Sequence, residues 1–138
     1  MRRYRVLFVC IGNACRSQMA EGFARTYGSD VLVASSAGLS PCGMVSPVTQ
    51  AVMLEKNIDL SGCVSKGIEP AELVRFDLVV NMSGWDFPHP DSTPVREWKV
   101  DDPIGLSYER HCQVRDQIEG LVQNLIVEFR DLTARRNS

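Results

Sequence analysis

Residues 6–17 read VLFVCIGNACRS, and this stretch decides the fold of the chain. The apolar run 6–9 predicts a strand buried on both faces of a parallel sheet. The next loop contains a Gly-Asn pair able to take a positive φ, and it leads into the helix-compatible residues 18–24. A strand, a tight loop and a helix N-terminus in this order predict an anion cradle, because backbone N–H groups of the loop point inward.

Two side chains give this cradle its chemistry. Cys10 ends the strand, and the positive field of the loop favours its thiolate, so Cys10 is predicted to be a nucleophile. Arg16 adds a permanently charged fork that grips two oxygens of a phosphate-like group. A cysteine that ends a buried strand is often inert, but the order of strand, loop, arginine and helix favours covalent catalysis on an oxyanion. The predicted oxyanion-binding residues are Ile11, Gly12, Asn13, Ala14, Cys15 and Arg16.

Length and composition indicate one ordinary globular domain over residues 1–138. The chain is 44% apolar and 23% charged, with a formal net charge of −2. No basic stripe suggests a nucleic-acid partner, and no apolar run approaches the ~20 residues needed to span a membrane. We therefore expect a cytoplasmic protein, monomeric or weakly dimeric, that binds neither nucleic acid nor membrane.

The cysteines argue against a metal site and against structural disulfides. Their number is odd, no Cys-x-x-Cys pair occurs, and the two histidines lie apart from them. We predict no metal, no cofactor and reduced thiols. The cysteines stand at positions 10, 15, 42, 63 and 112.

Strands alternate with helices along the chain, which predicts an α/β fold with a small parallel sheet covered on both faces. Residues 64–68 are expected to form a short edge segment and residues 134–138 to be frayed. The predicted strands are Val6–Cys10, Val31–Ser35, Phe76–Met82 and Val95–Val100. The predicted helices are Arg16–Gly28, Pro47–Lys56 and Gly105–Leu132, with a helical turn at Pro70–Val74.

A second functional element follows the last strand. Displacing a leaving group from phosphorus needs a proton donor, and Asp101-Asp102-Pro103 lies where a loop carboxyl can reach the cradle. Adjacent acids repel, which tends to keep one of them protonated. A simple turn is the alternative interpretation, and the cradle favours the catalytic one.

Residues 10–21 carry the pattern C-x-G-N-x-C-R-S-x-x-A-E, and the chain resembles the low-molecular-weight protein tyrosine phosphatase superfamily over essentially its whole length. The resemblance implies a small doubly wound four-stranded parallel sheet with helices on both faces. It also implies a cysteinyl-phosphate on Cys10, with Asp102 as general acid and then general base. By the same resemblance, Ser17 hydrogen-bonds the thiolate and Asn13 shapes the loop. It further raises the idea that the Lys66 ammonium replaces a cation near Asn13, Glu21 and Ser36, with a solvated surface lysine as the alternative.

The superfamily has a phosphatase branch and an arsenate reductase branch. Phosphatases are expected to carry aromatic residues after the Asp-Pro pair, where this chain has Ile104 and Gly105. Trp98, the doubled aspartate and residues 114–118 look reductase-like. Thioredoxin-coupled reductases carry a redox cysteine pair in the loop that corresponds to residues 79–94, which contain no cysteine here.

We therefore expect an enzyme that hydrolyses phosphomonoesters of the phosphotyrosine type, on a small molecule or a protein. The alternative is an arsenate reductase with an external low-molecular-weight thiol. A non-catalytic phosphate-binding module is disfavoured, since a binder needs no acid. Cys15 is a redox candidate that could form a reversible disulfide with Cys10, or a small residue packed under the loop. Cys42 stands apart from the remaining cysteines because its loop could border the pocket.

Overall fold

The computed structural model describes residues 2–137, which form one four-stranded parallel sheet and its covering helices. The strands are β1 Tyr4–Cys10, β2 Leu32–Gly38, β3 Leu78–Asn81 and β4 Val95–Glu97. The helices are α1 Arg16–Tyr27, α2 Pro47–Leu54, the 3-10 helix Pro70–Arg75 and α3 Tyr108–Arg136. The strand order is β2-β1-β3-β4, with every pairing parallel. The predicted fold class is confirmed.

The central strand β1 is buried on both faces, as its unbroken apolar sequence predicts. Val6 and Phe8 point into the larger core, which packs against α1, α2 and α3. Leu7 and Val9 point into a smaller core on the opposite face, where Leu73 of the 3-10 helix covers them. The three α-helices thus contribute to one face, while the 3-10 helix and loops cover the other.

The register brings three strand ends to one edge of the sheet. Cys10 pairs with Gly38 of β2, and Val9 pairs with Asn81 of β3. In parallel α/β sheets ligands bind beyond the carboxyl ends of the strands, at the point where the chain changes direction of winding. The loops that follow Cys10, Gly38 and Asn81 meet at that edge.

Several strand and helix bounds differ from those predicted. β2 continues to Gly38 rather than ending at residue 35, because residues 36–38 remain paired with β1. β4 ends at Glu97 rather than at residue 100 because the chain turns there toward the cradle. β3 and α2 are shorter than predicted. The expected edge segment 64–68 contributes only one isolated bridge, between Gly38 and Gly67.

The last helix begins later and ends later than predicted. Gly105 has φ +77 and lies outside the helix, whose N-cap is Ser107, with a side chain that accepts from the Arg110 amide. Fraying of residues 134–138 is wrong for 134–136, because the Arg136 guanidinium donates to the Tyr4 hydroxyl at 3.1 Å. Ser138 lies outside the described residues. Although α3 is 29 residues long, no helix within residues 2–137 has the length and apolarity to cross a membrane.

Candidate active site

The loop after β1 is held from outside through its carbonyl oxygens. Four of them accept backbone hydrogen bonds from the segment that follows β2. The donor and acceptor pairs are Leu39 N to Cys10 O at 3.1 Å, Ser40 N to Ile11 O at 2.8 Å, Cys42 N to Gly12 O at 3.0 Å and Ser46 N to Ala14 O at 3.0 Å. Within residues 2–137 the N–H groups of residues 11–15 have no protein acceptor. Amides without a protein acceptor in a tight loop can bind an anion, and the oxyanion-binding role of residues 11–16 stays a prediction.

Asn13 shapes the loop from within. It is fully buried and has φ +49, in the left-handed region that asparagine tolerates better than most residues. Its Oδ1 accepts from the Lys66 amide at 2.8 Å and from Gln18 Nε2 at 3.0 Å. Its Nδ2 donates to Ser17 Oγ at 2.7 Å. These bonds give Asn13 the contacts of a residue that holds the loop in one conformation.

The hydrogen bond from Asn13 also orients Ser17 toward Cys10. Ser17 Oγ lies 2.9 Å from Cys10 Sγ, and both side chains are buried. Either atom of this pair can be the donor, and a Cys10 thiolate would accept from the Ser17 hydroxyl. A hydroxyl that donates to sulfur stabilises the thiolate, the reactive form of a cysteine.

Arg16 is held by main-chain carbonyl groups from two other parts of the fold. Its Nη1 donates to the Met82 carbonyl at the end of β3 and to the Val100 carbonyl, the latter at 2.9 Å. Its Nη2 lies 3.5 Å from Asp102 Oδ2. The side chain is only 5% exposed, so the charged fork is fixed at the edge of the cradle. No local sequence pattern predicts these contacts, because they depend on how the distant strands pair.

The two adjacent aspartates point to different partners. Asp102 faces Arg16, is partly exposed, and accepts from the Ile104 amide at 3.1 Å. Asp101 pairs instead with Arg110 of α3, on the outer surface. The structure therefore brings Asp102 to the cradle and leaves Asp101 outside it.

The cavity above Cys10 is small. Its lining contains no aromatic ring within residues 2–137 and consists of Cys10, Gly12, Ala14, Cys15, Arg16, Asp102 and Ile104. A larger cavity of about 510 Å³ lies along Arg16, between the end of β3 and residues 97–102. Trp98 borders that second cavity and packs on Phe8 with ring centroids 5.9 Å apart. Trp85 is 67% exposed and lines neither cavity.

The remaining thiols differ in environment. Cys15 is buried under the loop, and burial raises its pKa to about 11. Cys42 is exposed, and its sulfur lies against Gly12, 2.5 Å from the position that a Cβ on Gly12 would occupy. Cys63 lies beside a cavity lined by α1 and residues 57–60, and Cys112 lies on α3. Of these thiols, Cys42 lies against the cradle loop and Cys15 is part of it.

The idea that Lys66 replaces a cation near Asn13, Glu21 and Ser36 stays a prediction. The Lys66 ammonium donates to the Val64 carbonyl at 3.1 Å. Glu21 instead accepts from the Ser36 hydroxyl at 2.5 Å and pairs with Arg25 at 2.7 Å. Arg25, one turn further along α1, therefore balances the buried carboxylate, and Lys66 contributes its backbone amide to Asn13.

Known proteins resemble this chain in sequence and in fold. A sequence model of the family described as low molecular weight phosphotyrosine protein phosphatase matches residues 5–88. A Synechocystis sp. protein named glutaredoxin arsenate reductase is 39% identical over 129 residues, 91% of this chain and 98% of the relative. The solved structure of an arsenate reductase in the phosphate binding state is 38% identical, with a TM-score of 0.82 over 94% of this chain and 99% of that one. The YwlE arginine phosphatase of Geobacillus stearothermophilus has a TM-score of 0.86 over 96% of each chain, and its 23% identity shows a shared fold alone.

Proposed function

The chain belongs to the low molecular weight phosphotyrosine protein phosphatase family, and within that family we propose that it is an arsenate reductase. Cys10 is the nucleophile, and low-molecular-weight thiols outside the chain supply the electrons. This reverses the order of the two functions that the sequence favoured.

The observation that carries the proposal is the size and lining of the cavity above Cys10. A phenol ring needs an apolar wall, and an aromatic side chain is well suited to supply it. The cavity above Cys10 has Ile104 beside Asp102 and no ring, and Trp98, which borders the neighbouring larger cavity, packs on Phe8. A small tetrahedral oxyanion such as arsenate needs only donors and charge, which Arg16 and the loop amides offer. The relatives of 38–39% identity described above are named as arsenate reductases.

In the first step the Cys10 thiolate attacks the arsenic of bound arsenate. A sulfur–arsenic bond forms and an arsenic–oxygen bond breaks. Arg16 and the loop amides hold the remaining oxygens, and their charges stabilise the transition state. Asp102 acts as the general acid and gives a proton to the departing oxygen, which leaves as water.

In the second step a thiol attacks the sulfur of Cys10 in the adduct. A disulfide forms, the sulfur–arsenic bond breaks, and its electron pair passes to arsenic. Arsenic(V) thereby becomes arsenic(III), which leaves as arsenite. Further thiol exchange regenerates Cys10, so the net reaction oxidises two external thiols to their disulfide.

Phosphomonoester hydrolysis is the second candidate function. The family model and the placement of Asp102 beside Arg16 favour it, because the same acid can activate water against a cysteinyl-phosphate. Phosphate and arsenate have the same charge and shape, so slow turnover of small phosphate esters is expected from the reductase as well. The absence of an aromatic ring from the lining of the cavity is the reason we propose this activity second.

Arsenite production tests the proposal directly. Purified protein is incubated with arsenate and glutathione, and arsenite is measured over time. We expect turnover by the wild-type chain and none by Cys10→Ser, with Cys63→Ser as the matched control that keeps activity. Absence of arsenite from the wild-type chain, together with rapid hydrolysis of a phosphotyrosine peptide, would establish the phosphatase instead.

A further inference from the structure

Cys42 contacts the cradle but has no part in the reaction described so far. Its sulfur lies 2.5 Å from the position of a Cβ on Gly12, so it fills the space beside a residue that binds the oxyanion. Gly12 follows Cys10 by two residues, which span at most about 7 Å of chain. A disulfide between Cys42 and Cys10 therefore requires a local shift of the loop 39–44, which packs against the residues that follow the nucleophile.

The loop that carries Cys42 is hydrogen-bonded to the cradle at residue 42 and has open space around residue 43. The Cys42 amide donates to the Gly12 carbonyl, which sets the position of the thiol. Gly43 follows with φ +92, and a Cβ at Gly43 would meet nothing within 4 Å. A glycine with this freedom lets residue 42 move without displacing the core. Cys42 itself is exposed, so an external thiol can reach it.

The other cysteines lack this combination of contact and access. Cys15 touches the loop, but burial raises its pKa to about 11, which leaves little thiolate at neutral pH. Cys63 lies beside the cavity formed by α1 and residues 57–60. Cys112 lies near Glu55, with its sulfur 4.0 Å from the carboxylate. Residues 79–94, which comprise the end of β3 and the loop that follows it, contain no cysteine.

We propose that Cys42 is the resolving thiol of the reductase, a catalytic residue that attacks the Cys10 sulfur in the arsenic adduct. This inference rests on the proposed function. The Cys10–Cys42 disulfide forms as the sulfur–arsenic bond breaks, and the electron pair passes to arsenic, which leaves as arsenite. The Cys42 proton goes to solvent. External low-molecular-weight thiols then reduce the disulfide through the exposed Cys42 sulfur, and both protein thiols return to their starting state.

A single turnover without external thiol separates Cys42 from every outside donor. Fully reduced protein is freed of reductant and mixed with excess arsenate. Arsenite is then quantified, and disulfides are mapped in the digested protein by mass spectrometry. The variants are Cys42→Ser and, as matched control, Cys112→Ser. Thermal stabilisation by inorganic phosphate confirms in each variant that the cradle is intact.

We expect the wild-type chain and Cys112→Ser to release about one equivalent of arsenite per protein and to contain a Cys10–Cys42 disulfide. Cys42→Ser should bind phosphate normally and release at least tenfold less arsenite. Equal release by Cys42→Ser and the wild type would overturn the role of Cys42. So would a wild type that forms arsenite only after glutathione is added, a result that leaves the reductase function standing. No arsenite even with glutathione would remove both proposals.

Discussion

The Arg16 guanidinium donates a hydrogen bond to the carbonyl oxygen of Val100 at 2.9 Å, across 84 positions of the chain. Arg16 begins α1 beside the nucleophile, and Val100 stands two residues before Asp102. One buried side chain thus couples the anion cradle to the loop that carries the acid. The position of the proton donor over the cradle depends on this bond as well as on the charge of Arg16.

Lysine at position 16 should therefore fail although it keeps the charge. A lysine ammonium lacks the planar fork that meets two carbonyl groups and an oxyanion together. Losing about 3 kcal/mol of such charged hydrogen bonds corresponds to a fall in kcat/KM of roughly 100-fold. The assay is arsenate reduction with glutathione. Arg75→Lys, on the exposed 3-10 helix, is the control, and equal activities of the two variants would refute the coupling.

Asp102→Asn should reduce kcat by about 10²–10⁴, the usual contribution of a positioned general acid. Asp101→Asn should stay near wild type, because Asp101 pairs with Arg110 outside the cradle. The two variants differ by one position and carry the same change of charge, so general electrostatics affects them alike. A larger loss of kcat from Asp101→Asn than from Asp102→Asn would show that Asp101, and not Asp102, is the general acid.

Gly38→Ala should damage the cradle. A Cβ at Gly38 would lie 2.7 Å from the Asn13 amide nitrogen and from the Ile11 carbonyl oxygen, both of them backbone atoms. We expect a loss of about 1–3 kcal/mol of stability, as in other overpacked sites, and weaker binding of phosphate. In Gly120→Ala on α3 the new Cβ meets nothing within 4 Å, and this control should gain about 0.5–1 kcal/mol. Thermal melts with and without phosphate distinguish the outcomes, and unchanged phosphate binding in Gly38→Ala would contradict the prediction.

The parts of the site that sequence could predict are those that are local in the chain. Cys10, the loop and Arg16 lie within seven residues, so their order alone indicates an anion cradle. The contact of Cys42 with Gly12 depends on the register of β2 against β1, which strand periodicity does not specify. Strand periodicity does not specify the hydrogen bond from Arg16 to Val100 either, because that bond is made by the segment that follows the end of β4 at Glu97.

Element type was also easier to predict than element length. The buried strands and amphipathic helices follow from hydrophobic patterning. The start of α3 depended instead on the Ser107 cap and on the positive φ of Gly105. Its end depended on a contact between Arg136 and Tyr4, from opposite ends of the chain. Patterning carries no information about either.

Glu128 links α3 to the edge strand and should make stability depend on acid pH. The Arg96 guanidinium donates to both of its carboxylate oxygens, at 3.0 and 2.9 Å, and these hydrogen bonds lower the pKa of Glu128. The stabilisation is complete above the unfolded pKa of about 4.3 and is lost as pH falls through the lower folded pKa. Because both side chains are more than 40% exposed, Glu128→Gln should cost only about 0.5 kcal/mol at neutral pH.

Urea melts of wild type and Glu128→Gln at neutral and acid pH measure this difference. The difference in unfolding free energy between the two proteins should shrink toward zero in acid. Glu72→Gln removes a single exposed contact with Arg75 and should have a smaller effect at neutral pH. A difference in unfolding free energy between wild type and Glu128→Gln that grows in acid would contradict the predicted pH dependence of this ion pair.

Cys15 should be unreactive in the folded protein. Burial raises its pKa to about 11, whereas an unfolded thiol ionises near about 8.5. Iodoacetamide at neutral pH should label Cys42 and spare Cys15 until urea unfolds the chain. The same shift predicts that stability declines as pH rises from about 8.5 toward 11, because only the unfolded state loses the proton. Rapid native labelling of Cys15, read by peptide mass spectrometry, would contradict this prediction and favour the redox role of Cys15.

The most direct test of the central claim compares two substrates on one preparation. The value of kcat/KM is measured for arsenate with saturating glutathione and for para-nitrophenyl phosphate, with Cys10→Ser as the blank. The account predicts efficient arsenate reduction and aryl phosphate hydrolysis below about 10⁴ M⁻¹s⁻¹, the lower end of the ordinary enzyme range. Hydrolysis above that value without measurable arsenite formation would contradict the account and identify the chain as a phosphatase.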